Sequence, residues 1–441
     1  MRGDADLVEG IRQTLWDLDA GEETIDRLLG MAQGARLVLV GEASHGTHDF
    51  YALRAALTAR LVAEQGFEAV AVEADFPDAA RVDRFVRGRS ADRSAEAALG
   101  GFTRFPAWMW RNADVVDFVR WLRDFNAHHG RDVGFVGIDL YSLHASMEAV
   151  LRFLDAHQPH LADEARRRYA CFEQFGAEPE AYASAARYAL SELCEEDVGA
   201  VVALLRRSGP AAALSGDGAD AWFEAEQNAR VVQGAEAYYR TMFGGDVSGW
   251  NLRDTHMADV VGALSRHLQA RGRAPKIVVW AHNSHLGDAR ATEVARLGEL
   301  NLGQLLRERH GREVFNIGFT SWGGTVTAAS HWGAAAERKV VRPALRDSYE
   351  ALFHAVGVDR FVLPLRQLGE AAGGLREPRL ERAIGVIYRP DTERASHYFR
   401  CELPAQFDAV IHIDRSTAVV PLEPTSTWDR GEEPETWPSG L

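Results

Sequence analysis

The sequence predicts an α/β protein: a central sheet, mostly parallel or mixed, flanked by helices, with a large helical insertion forming one wall of a cleft. Three observations predict it. Short apolar, β-rich runs alternate with longer helical patterns. The runs are continuously apolar, as in strands covered on both faces. Between residues 143 and 272 the strand pattern stops.

The first strand is "RLVLV" (36–40). Phe50, Leu53, Leu57 and Leu61 then mark one face of a helix. The second strand, "AVAVE" (69–73), completes a strand–helix–strand unit, which implies parallel pairing through a right-handed crossover. "VGFVGID" (133–139) is the third. The stretches 224–243 and 251–270 are helical in composition and period. Strands resume with "KIVVWA" (276–281), "VFNIGF" (314–319), "FVLPL" (361–365), "AIGVIY" (383–388) and "AVIHID" (409–414). The expected organisation is an N-terminal α/β half over 1–142, a helical segment over 143–272, and a C-terminal half over 273–425 completing the same sheet. A Pro-rich, acidic, flexible tail follows over 426–441.

Of 441 residues, 46% are hydrophobic and 26% charged, the composition of a globular protein with ample core. A formal net charge of −15 disfavours non-specific binding to nucleic acid or an anionic membrane surface. No run approaches the roughly 20 apolar residues of a spanning helix. Acidic residues break up the first thirty positions, which excludes a signal peptide and makes the cytoplasm the expected location. Cys171, Cys194 and Cys401 are widely spaced and form no C-x-x-C pair, so reduced structural thiols are expected.

Ligands of open α/β sheets bind beyond the carboxyl ends of the strands. There the sequence places Glu42 and His45 after the first strand, Glu73 at the end of the second, Asp139 at the end of the third, and His282 and His285 after the fourth. Each has a bland reading: a helix N-terminal carboxylate, a packed histidine, a residue that only orients its neighbour. Their convergence on one edge is what points to a site. His48 and Asp49 suit a helix start, and Asp75 and Asp78 suit turn and capping positions around Pro77. "FPAWMW" offers Phe105, Trp108, Met109 and Trp110 as an apolar wall for a substrate, or as core.

There is no G-x-S-x-G elbow, H-E-x-x-H, Walker A or strand-following G-x-G-x-x-G motif. What remains is histidine with carboxylates. That set serves general-base activation of water, since an imidazole titrates near pH 6.5. It also serves a divalent metal held by N and O ligands, and a non-catalytic small-molecule binder keeps such a cleft too. No cofactor is called for by any motif.

"GEASHGTHDFYALRAALTARLVAEQGFEAVAVEADFPDA" (41–79), "FPAWMWRN" (105–112), "GIDLYSLHASMEAVL" (137–151), "NARVVQGAEAYYR" (228–240), "WNLRDTHMA" (250–258), "WAHNSHLGD" (280–288) and "ERAIGVIYRPDTERASHYF" (381–399) together resemble the erythromycin esterase family, in order and over most of the chain. Within it the chain looks most like the bacterial branch labelled succinoglycan-biosynthesis-like. The resemblance implies a hydrolase that opens a macrolide lactone, or another ester, with water and no covalent intermediate. It implies His45 as general base, Glu42 or Glu73 as its orienting carboxylate, and His285 and Arg253 as oxyanion stabilisers.

Overall fold

The computed structural model describes residues 2–175, 179–188, 193–208, 217–241 and 246–431. Eleven strands occur among them: β1 (Trp16–Asp17), β2 (Leu37–Val40), β3 (Ala69–Asp75), β4 (Gly134–Asp139), β5 (Ile277–Trp280), β6 (Val314–Ala328), β7 (Glu337–Val341), β8 (Arg360–Leu363), β9 (Arg379–Arg382), β10 (Tyr398–Cys401) and β11 (Ala409–Ser416). Nine form one sheet in the order β1-β8-β11-β6-β2-β5-β3-β4, with β7 added to the end of β6. From β11 to β4 every pairing is parallel; β8, β1 and β7 add antiparallel margins. β9 and β10 form a separate hairpin-like pair.

The continuous apolar runs follow from burial on both faces. Val38, Val40, Val70 and Val72 point to a core shared with Phe50, Leu57 and Leu61 of the helix His48–Gln65 and with Val116, Phe118 and Leu122 of the helix Ala113–His129. Leu37, Leu39, Ala69 and Ala71 point the other way, toward Met257, Val261 and Leu264 of the helix Asp246–Ala270 and Leu302 and Leu306 of the helix Leu302–His310. The period of two along each strand thus feeds two separate cores.

No strand occurs among the described residues of 143–272. The helices Leu143–His157, Pro159–Tyr169, Glu195–Ser208 and Asp217–Thr241 pack around their own core, which includes Val150, Leu154, Tyr169, Val198, Leu205 and Val232. The helix Asp246–Ala270 instead lies on the sheet and brings Trp250 and Arg253 to its carboxyl edge.

Four expectations are corrected. "AIGVIY" is not a strand: it runs as an irregular segment beside the first motif, with His45 N–H donating to the Ile384 carbonyl and Ile384 N–H to that of Ala43. The strands β7, β9 and β10 are too polar to carry an apolar run. The chain past Leu422 is not free throughout: Thr425 caps a short helix, Ser426–Arg430, and the buried Trp428 indole donates to Thr327 Oγ1 at 2.7 Å. Residues 432–441 of the expected tail lie outside the described residues. Finally, Cys171 and Cys194 are joined in a disulfide inside the helical segment, and only Cys401 is free and buried. No helix among the described residues is long and apolar enough to cross a membrane.

Candidate active site

Because β5 lies between β2 and β3, the carboxyl ends of β2, β5, β3 and β4 are consecutive along the sheet edge. They deliver Glu42 and His45, then His282 and His285, then Glu73, then Asp139. The turn after β2 is tight. Gly46 has φ 71°, and a Cβ there would lie 2.1 Å from the Thr327 carbonyl oxygen, so only glycine lets this backbone approach β6.

Glu42 is sealed from solvent and its Oε1 lies 3.0 Å from His45 Nδ1. A carboxylate there fixes the proton on Nδ1 and leaves a lone pair on Nε2, in the cleft that His45 lines. Arg54 Nη1 approaches the same Glu42 oxygen, 3.1 Å away and equally buried. Burial alone would raise the Glu42 carboxyl, but Arg54 and His45 outweigh it and hold the group below its usual range.

Glu73 has a different set of partners. Its Oε2 accepts the His282 backbone N–H at 2.8 Å, and its Oε1 accepts Arg253 Nη2 at 2.7 Å. Arg253 also makes a bidentate pair with Asp139, at 2.9 and 2.7 Å, and its guanidinium sits over the Tyr141 ring at 5.0 Å. Glu73 therefore organises Arg253 and the His282 turn; Glu42 is the carboxylate that orients His45. Carboxylates thus take Arg253 Nε and Nη2, and its Nη1 lies 3.0 Å from His285 Nε2.

His285 is stacked on Trp250 at 4.4 Å, and its Nδ1 lies 2.9 Å from Asp254 Oδ2. Burial opposes charge on this ring, yet Asp254 and Glu73 overcome it and push the imidazole up to about 9. Its protonated Nε2 faces Glu73 Oε1 at 3.3 Å. His282 is the opposite case. Burial and the neighbouring His45, ring to ring at 4.8 Å, push it down to about 3. Its Nδ1 accepts the Ser284 N–H at 3.2 Å, so the proton sits on Nε2, which is buried and meets no protein acceptor.

His45, Glu73, Asp139, Trp250, Arg253, His282 and His285 line a cleft of about 400 Å³ together with Asp75, Asp78, Arg104, Phe105, Met109, Trp110, Tyr141, Gly385, Val386 and Trp332. The structure thus brings His45, Glu73, Arg253, His282, His285, Met109 and Trp110 to one cavity, with Glu42 directly behind His45. Trp108 is not on its surface: it packs under the first motif, against Gly46. His48 and Asp49 turn away, to Asp114 and Thr417. Ser44 bonds Thr47 at 2.5 Å. Among the described residues no group of three or more His, Cys, Asp or Glu has metal-binding geometry. A second cavity, of about 270 Å³ beside Phe76 and Phe223, contains none of these groups.

Sequence reasoning missed Arg54, Asp254 and the cleft-facing placement of Asp75 and Asp78. Arg54 had a signal: it lies four residues after Phe50 and three before Leu57, on the apolar face of its helix. Asp254 had none, because its partner is 31 residues away in the chain.

Comparison with known proteins agrees with this architecture. Erythromycin esterase type II of Escherichia coli is 23% identical over 405 residues, which is 87% of this chain and 90% of the relative. A solved succinoglycan biosynthesis protein superposes with a TM-score of 0.77 at 19% identity, covering 96% of this chain and 100% of that one. An erythromycin esterase mutant in its open conformation gives a TM-score of 0.65 at 20% identity, over 91% of this chain and 96% of that one. Such structural likeness establishes a shared α/β fold. The erythromycin esterase family model matches residues 62–416, the greater part of the chain, and the chain belongs to that family.

Proposed function

We propose that this cleft hydrolyses an ester or lactone by direct attack of water. The observation that carries the reading is the Glu42–His45 pair, 3.0 Å apart and buried, with His45 lining the cavity beside His282, His285 and Arg253. A water proton passes to His45 Nε2 as the water oxygen bonds to the acyl carbon. The oxyanion that forms is met by the positive charge of His285 and Arg253, which line the same cavity. Collapse breaks the bond to the leaving oxygen, which takes the proton back from His45. Ionised Glu42 stabilises the imidazolium between the two transfers.

Membership of the erythromycin esterase family supports this chemistry, and a macrolide is one candidate substrate. The aromatic wall of Phe105, Trp110, Tyr141 and Trp332 suits a bulky, largely apolar ester.

The test is a panel of esters and lactones, macrolides included, with His45→Ala alongside. Removing a general base costs about 10²–10⁴-fold in rate while ligand binding survives. A folded His45→Ala protein that keeps the full rate would refute the assignment. Chelator-treated enzyme is expected to retain its rate; loss restored by a divalent ion would point instead to a metal-assisted reaction.

A further inference from the structure

We infer that Asn283 is a positioning residue that sets the Glu42–His45 pair against the histidines of the following motif. This rests on the hydrolytic reading above. Asn283 lies between His282 and His285 in sequence and is buried. Its role follows from where a strand ends. β2 stops at Val40, opposite Ile317 of β6, and Gly41 N–H makes the last backbone bond, to the Ile317 carbonyl at 2.9 Å. β6 continues past that point. The N–H and C=O of Phe319 therefore face a side from which the neighbouring strand has gone, and buried backbone groups left unpaired are costly.

The Asn283 carboxamide takes the missing strand's place. Phe319 N–H donates to Asn283 Oδ1 at 3.3 Å, and Asn283 Nδ2 donates to the Phe319 carbonyl at 2.7 Å. Its own backbone N–H donates to the Glu42 carbonyl at 2.8 Å. One residue thus binds β6, the backbone of the residue that orients His45, and the turn bearing His282 and His285. The space is reserved for it: a Cβ on Gly41 would lie 2.2 Å from Asn283 Oδ1. Among side chains of this length the carboxamide alone offers an amide donor and a carbonyl acceptor together, without charge. An ionised carboxylate in its place would set a negative oxygen against the Phe319 carbonyl.

The test is Asn283→Asp in the full chain, with Gly41→Ala as the second variant, which keeps Asn283 and crowds its carboxamide. A misplacement of about 1 Å at a reacting centre costs on the order of 100-fold. The expected result for Asn283→Asp is a kcat lowered by about 10- to 100-fold at pH 8 with KM within about twofold. The ratio of its kcat to that of the wild type should then climb as pH falls, because a protonated carboxyl restores both a donor and an acceptor. The ring ¹⁵N shifts of His45 and His285 should move in both variants. These shifts do not depend on turnover, so a wild type that hydrolyses nothing on the panel defeats the hydrolytic reading without touching this one. Folded Asn283→Asp protein with wild-type kcat, or with unmoved histidine shifts, overturns the inference. If that variant is unfolded, Gly41→Ala decides by the same two readouts.

Discussion

Arg54 lies 3.1 Å from Glu42 in a place closed to solvent, with the rings of Tyr51 and Trp280 over its guanidinium at 4.5 and 4.6 Å. Breaking a buried pair by deleting one partner strands the other charge and costs about 3–5 kcal/mol. Arg54→Ala should therefore show a lower urea midpoint with an unchanged m-value, and should lose most activity, because an unpaired Glu42 takes up a proton and ceases to polarise His45. An unchanged midpoint would show that the pair contributes nothing to stability.

His285 makes stability depend on alkaline pH. A folded-state value of about 9, against an ordinary 6.5, means that the native protein holds this proton more tightly than the unfolded chain. The resulting stabilisation is complete below pH 6.5 and is lost as pH rises through about 9. Thermal melts from pH 6 to 10 should fall over that window in the wild type and fall less in His285→Asn. Parallel curves would mean that the proton sits elsewhere.

Asp75 and Asp78 lie within the cleft, and burial pushes them up to about 6 and about 7. Arg104 stands 3.1 Å from Asp75. The cavity accordingly gains negative charge between pH 6 and 7. An ester carrying a fixed cation should bind more tightly as pH rises through this interval, relative to its uncharged isostere, and Asp78→Asn should flatten the difference. Equal pH dependence for the two esters, measured as inhibitor constants against a common substrate, would contradict this.

Trp332 is 65% exposed at the mouth of the cleft, with its indole against the edge of Phe105 at 4.9 Å. Covering part of such a ring with substrate is worth about 1–2 kcal/mol, so Trp332→Ala should raise KM for a bulky ester about tenfold while leaving kcat and the melting temperature nearly unchanged. A small acetate ester, too short to reach the rim, serves as the control and should show no change.

The α/β class and the site edge were legible because burial on both faces writes an unbroken apolar run, and because a carboxylate or imidazole ending such a run is conspicuous. Glu42, His45, Glu73 and His285 stood out for that reason. β9 and β10 were not legible: they pair only with each other, and β9 buries polar side chains satisfied from other segments, Glu381 by Cys401 and Gln406 and Arg382 by Glu393, so "RLER" and "YFRC" carry no strand signature. "AIGVIY" misled for the opposite reason. Its Ile384 and Tyr388 are buried against Val326, Ala328 and Val341 of β6 and β7, with isolated bridges but no ladder to join. Asp75 and Asp78 were read from Pro77 as capping groups, and Asp75 does sit at the N-cap position of the helix Phe76–Val86; that it also faces the cavity depends on the fold of the whole sheet.

The placement of β5 between β2 and β3 has a consequence for synthesis on the ribosome. Both neighbours of β2, namely β5 and β6, are made well over 200 residues after it. At roughly 5–20 residues per second, the first motif waits on the order of ten seconds or more before the strands that complete its surroundings emerge. Until then the apolar β2 and β3 have no parallel partner between them, and a nascent chain that stops after β4 leaves β2 with neither edge covered. Shielding of the central strands in the meantime falls to the helices already made, and the candidate site closes only when the second half of the chain has threaded back into the middle of the first.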